Sequence, residues 1–164
     1  KDVYPNYMNG LADCGIVFLR NETVCREEDN VVIAGLEIDR SYYKKFKKHE
    51  MQASYVEEML GERKKGAFTI LLAHNPEFFK AYAEYGAELT LAGHLHGGVM
   101  RLPFIGGVAS PAIKLFPGYS GGRYARYGRE MIVSCGLGSH TIPFRIFNPG
   151  DLVVISLEKT VEKG

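Results

Sequence analysis

No run of 18 apolar residues occurs anywhere in the chain, so the sequence offers no membrane-spanning helix. No secretory signal is read at its start, and it opens on Lys1 rather than Met, which points to a portion of a longer polypeptide. Cysteine is scarce. Cys14, Cys25 and Cys135 are odd in number and lack C-x-x-C spacing, which argues against a zinc ribbon and against a disulfide framework. They are expected as free thiols, two of them in apolar surroundings. Net charge of one sign is also missing. The balance is +1, so the overall field gives no argument for nucleic acid or an anionic membrane. What is present is ordinary for a folded protein: 46% hydrophobic and 24% charged residues. The 164 residues suit one domain or one large part of a domain. There is no internal repeat.

The apolar pattern predicts an α/β fold. Segments 15–21 (GIVFLRN) and 31–38 (VVIAGLEI) are rich in β-branched residues and read as strands, with a short strand and polar turn between them. Residues 41–66 carry charge with apolar residues at helical spacing. Val56, Met59 and Leu60 mark one face, and Gly61 is a stop. The lysines around 44–48 read as a solvated face. Residues 67–74 (AFTILLAH) form a continuous apolar run, as in a buried strand. Asn75 is a helix cap, Pro76 and Glu77 suit a first turn, and Gly86 ends that helix. A second buried strand follows at 87–93. Strand, helix, strand implies a parallel crossover. Residues 103–123, rich in proline and glycine, read as a long loop. Strands are expected at 130–136, 143–147 and 151–159. The expected sheet core is Ile70, Leu71, Leu72, Leu89, Leu91, Ile132, Val133, Val153 and Ile155.

Both strands of the crossover end in a histidine, His74 and His94, so their C-terminal ends lie at one sheet edge, where open α/β sheets place their sites. The stretch GHLHGG adds His96 two residues on. In an extended segment alternate side chains face the same way, so the pair points together. Gly93, Gly97 and Gly98 leave room for a close backbone approach. Three neutral imidazoles suit manganese, iron, zinc or nickel, and a phosphate site is the other reading. Arg123, Arg126 and Arg129 recur every third residue. They read as a solvated hairpin edge, with a phosphate clamp as the alternative. His49 and His140 are taken as surface residues.

The combination LLAHNPEFF, LTLAGHLHGG and MRLP, with the tail PGYSGGRYARYGREMIVSCGLGSHTIPFRIFNPGDLVVISL, closely resembles the calcineurin-like metallophosphoesterases, especially a bacterial membrane-associated subgroup. The resemblance spans nearly the whole chain. It implies that residues 1–164 are the C-terminal portion of such a domain, a mixed β-sheet sandwich flanked by helices that lacks its N-terminal part. It also implies hydrolysis of small phosphate monoesters or diesters at two divalent metal ions. By the resemblance His74 and His94 match ligands of the second metal and His96 a ligand of the first. Asn75, Gly97, Gly98 and Arg123 are candidate contacts to the phosphate.

The departures are as informative. The family's Asp-x-His and Gly-Asn-His motifs are absent from these residues, and no Gly-Asp pair precedes the histidines. Val99 stands where the family often has glutamine, and Pro149–Gly150 where it has proline-glutamate. The bridging aspartate, the asparagine ligand and the histidine that protonates the leaving group are thus not supplied here. No catalytic residue is assigned within the chain, which is expected to be inactive alone. The competing reading is a non-catalytic, metal-binding module that pairs with a second copy through exposed sheet edges. The location stays open between cytoplasm and membrane. Any membrane association would come from the missing N-terminal part.

Overall fold

The computed structural model describes residues 3–43, 50–94, 96, 100–102, 106–109, 118–138 and 145–159. Strands β1 (Glu22–Arg26), β2 (Val31–Leu36), β3 (Phe68–Ala73), β4 (Leu89–Ala92), β7 (Gly122–Arg126) and β8 (Arg129–Val133) form one mixed sheet in the order β1-β2-β3-β4-β8-β7. The four central strands run parallel, and the two outermost pairs are antiparallel hairpins. A small second sheet pairs β5 (Met100–Leu102) with β6 (Gly106–Ala109). The helices are α1 (Val3–Asp13), α2 (Ala53–Leu60) and α3 (Phe79–Tyr85).

Strand pairing assigns alternate residues to the two faces of the sheet. One face carries Ala34, Leu36, Leu71, Ala73, Met131 and Val133, all buried in a cluster with Val56 of α2 and Phe79, Ala81, Tyr82 and Ala83 of α3. Each large side chain fully buried there contributes on the order of 2 kcal/mol. Tyr82 keeps its hydroxyl satisfied by donating to the Asn75 carbonyl at 2.8 Å. The opposite face is covered less. Phe68 and Leu72 remain 39% exposed on it. This divides the expected core. Ile70, Leu71, Leu89 and Val133 are buried, and Leu91 and Ile132 are half-buried. Leu72, Val153 and Ile155 are exposed, because α2 and α3 pack on the other face and the last two belong to a segment outside any ladder.

Several boundaries differ from the sequence pattern for local reasons. Segment 15–21 is not a strand. Gly15 and Asn21 have φ of +83° and +56°, which breaks the extended run, and the ladder starts at Glu22. The expected helix at 41–66 contains only a 3-10 turn at Arg40–Tyr43 and the eight residues of α2, with 44–49 outside the described residues. Asp39 accepts from the Ser41 amide at 2.8 Å and sets that turn, while Gln52 is extended and begins α2 anew. Gly61 does end α2, at φ +78°. The helix after Asn75 begins as a 3-10 turn, Pro76–Phe78, before α3. The loop at 103–123 holds β6 and the start of β7. Among the described residues 145–159 form no strand. The segment 153–157 lies against the open face near Phe68, Leu89 and Ile132 rather than along a sheet edge. Of the cysteines, Cys14 is exposed, Cys25 half-buried and Cys135 buried, so one thiol rather than two has a buried setting.

Candidate functional site

The parallel pairing of β3 with β4 brings their C-terminal ends side by side, and both histidines follow there. The Gly93 amide donates to the His74 carbonyl at 3.1 Å, which ties the two exits together. The His74 and His94 rings then meet edge to face, centroids 5.0 Å apart and planes at 82°. The Tyr43 ring also packs on His94, centroids 5.4 Å apart and tilted by 58°. His96 is close enough to act on His74 electrostatically. Burial first, and the neighbouring His96 second, hold the His74 imidazole below its ordinary value of 6.5. A neutral ring is the form that ligates a metal.

His94 and His96 both adopt left-handed backbone, φ +71° and +48°. For a residue with a Cβ such a conformation costs about 1–3 kcal/mol and persists only where surrounding contacts enforce it. One such contact is the Asn148 amide, buried and donating to the His96 carbonyl at 2.7 Å. The extended HxH geometry assumed from sequence is therefore replaced by a turn that aims the rings by positive φ. Arg145 holds this corner, donating to the carbonyls of Cys135 at 2.9 Å, Gly136 at 3.1 Å and Pro149 at 3.4 Å, and also to that of Gly138. Tyr43, Asn148, Gly136 and Arg145 had no signal in the sequence, because none belongs to a motif and three act through backbone.

A cleft of about 670 Å³ opens beside His74, with Tyr4 and Met8 of α1, Arg20, Leu36, Tyr43 and Leu72 on its walls.

The remaining described candidates are engaged with other groups. Asn75 is buried, and its Oδ1 accepts from the Glu77 amide at 3.0 Å, so its oxygen is engaged as a cap. Arg123 pairs with Glu130 through Nε at 3.0 Å and through its terminal nitrogen. Glu130 sits opposite Leu89 at the start of β4, whereas His74 follows the end of β3, so the structure does not bring Arg123 to the histidines. Arg129 binds Glu88 at 2.7 Å, and Arg126 stacks over Tyr127 at the hairpin turn. Gly97, Gly98, His49 and His140 lie outside the described residues.

The donors assembled here are nitrogen only. Among the described residues no group of three or more His, Cys, Asp or Glu side chains could hold a metal ion. His74, His94 and His96 therefore do not converge as a three-ligand set, and they bring no carboxylate to balance or bridge two dications, so these residues do not make a complete centre.

The chain is similar over part of its length to several curated proteins. The uncharacterized metallophosphoesterase YkuE of Bacillus subtilis is 33% identical over 93 residues, 57% of this chain and 32% of that protein. An uncharacterized metallophosphoesterase of Helicobacter pylori (strain J99) is 33% identical over 113 residues, 68% of this chain and 29% of that protein. One from Aquifex aeolicus is 33% identical over 91 residues, 56% of this chain and 33% of that protein. The chain is homologous to metallophosphoesterases. The matches span about a third of the length of these curated relatives. No family model matches the sequence. No solved structure matches it either.

Proposed function

We propose that the whole protein hydrolyses phosphate esters with the help of divalent metal ions, and that this chain contributes the imidazole side of a two-metal centre of the calcineurin-like kind. The observation that carries the reading is the meeting of His74 and His94 at the ends of two adjacent parallel strands. A bound divalent ion supplies Lewis acidity toward phosphoryl oxygens. The chain's own residues fix the rings. The Gly93–His74 backbone bond sets their spacing, Tyr43 shields one face of His94, and Asn148 holds the turn at His96. In this reading the carboxylate ligands and any membrane attachment come from residues other than these 164, which form the C-terminal portion of a sandwich domain. Among the described residues no helix is long and apolar enough to cross a membrane. The substrate is a small monoester or diester. Manganese, iron, zinc and nickel all suit the donors.

The test is hydrolysis of a chromogenic phosphodiester by the whole protein with each metal in turn. Turnover is expected to fall by about 100-fold or more in His94→Ala and in His96→Ala, as for removal of one member of a concerted site. Full activity in both variants would reject the reading.

A second reading, a self-associating module, is favoured by the exposed segment in which Leu152 and Val154 are 81% and 82% accessible. Apolar surface of this kind and open strand edges promote pairing with a second copy. Sedimentation of the chain beside a Leu152→Lys, Val154→Lys double variant tests it. A monomer in both would exclude it.

A further inference from the structure

At the end of the sheet opposite the histidines, Lys64 Nζ stands 3.2 Å from Cys25 Sγ. The same ammonium donates to both Glu27 oxygens, at 3.0 and 2.8 Å. Cys25 lies on edge strand β1, paired with Val32, and Lys64 lies in the connection between α2 and β3. Two further bonds hold these backbones together independently of the side chains. The Asn30 side chain donates to the Gly66 carbonyl at 2.7 Å, and the Phe68 amide donates to the Asn30 carbonyl at 3.0 Å. Cys25 is half-buried and the Lys64 side chain is 45% exposed, so a small oxidant reaches a pair whose two ends are already in place. Cys14, by contrast, is fully open.

We propose that Cys25 and Lys64 are an oxidative modification site, in which a peroxide joins Sγ to Nζ through one bridging oxygen atom. In the first step the sulfur attacks a peroxide oxygen, the O–O bond breaks, and the thiol becomes a sulfenic acid with release of one water. The neighbouring ammonium stabilises the negative charge that builds on the departing peroxide oxygen, which leaves as water. In the second step another peroxide molecule takes the sulfenic O–H hydrogen and one N–H hydrogen. Its O–O bond breaks, two waters leave, and the N–O bond closes. Sulfur and nitrogen are oxidised by two electrons each, and two peroxides are reduced to match. Lysine enters as an ammonium, its proton held by Glu27 and Cys25, and the extra proton passes through the Glu27 carboxylate to solvent. The bridge staples β1 to the α2–β3 connection and leaves the histidine cleft untouched.

The test treats the full chain with hydrogen peroxide and analyses a non-reduced protease digest by mass spectrometry. The expected product is one linked peptide pair containing Cys25 and Lys64, heavier than the two peptides by one oxygen and lighter by two hydrogens. It disappears on treatment with dithiothreitol. It is absent from Cys25→Ser and from Lys64→Arg, the latter keeping a cation beside Glu27 so that folding is preserved. Three results would overturn the proposal: Cys25 recovered only as sulfinic or sulfonic acid, a linked pair lacking the oxygen, or a linked pair that persists in Lys64→Arg.

Discussion

The imidazoles of His74 and His94 stand edge to face at 5.0 Å, although a helix separates them in sequence. Their meeting follows from the parallel register of β3 and β4, which ends both strands at the same height. Both histidines follow closely on strands of the central sheet, and that fixes where their backbones meet.

The isolated 164 residues should show little or no phosphatase activity with added manganese or zinc. Their donors are nitrogen only, and a concerted site missing several members loses orders of magnitude in rate. The measurement is hydrolysis of a chromogenic phosphodiester by the purified chain, beside His94→Ala and His96→Ala. Robust turnover that vanishes in both variants would show that the imidazoles suffice.

Gly35 supports Leu19, which crosses β2 at that point. A Cβ built on Gly35 would lie 2.5 Å from both the Leu19 Cβ and its carbonyl oxygen. A backbone atom cannot swing away as a side-chain tip does. Gly35→Ala should therefore destabilise by about 1–3 kcal/mol, as overpacking does. Chemical denaturation gives the number, and an unchanged midpoint would mean that segment 15–21 is free to lift.

Glu88 ties three elements, accepting from Arg63 at 3.1 Å, Arg129 at 2.7 Å and the Thr69 amide at 2.7 Å. Its side chain is only 18% exposed. Glu88→Ala leaves two guanidinium groups without their partner and should cost about 2–3 kcal/mol. Arg123→Ala removes an exposed pair with Glu130 and should leave the denaturation midpoint nearly unchanged. Equal losses in the two variants would contradict this ranking.

Asp151 anchors the start of the tail. Burial opposes its charge, but hydrogen bonds from the Ser134 hydroxyl and from Cys135 and Gly136 outweigh that and hold the carboxyl below its ordinary 3.8. The depressed folded value means that its contribution is complete above the unfolded pKa and is lost as pH falls through the folded one. Unfolding midpoints measured from about pH 6 down to about pH 2 should therefore drop more steeply at the acid end for the native chain than for Asp151→Asn. Parallel curves would remove Asp151 as the cause.

The crossover could be read directly in the sequence. Two continuous apolar runs, a capping Asn75, Pro76 in the first turn and Gly86 at the stop are local instructions, and they hold because hydrophobic run length and backbone preference act within a few residues. The same locality made the histidines visible as a pair of strand ends with an HxH motif. Tertiary structure alone decided the rest. It turned His94 and His96 into left-handed positions, the latter held by Asn148, gave Asn75 to a cap, and sent Arg123 to Glu130. It also left Val153 and Ile155 outside any ladder, although their segment alternates as a strand should. A strand needs a neighbour to complete its hydrogen bonds, and a side chain's partner depends on register between distant segments. Neither is encoded in the run of residues itself.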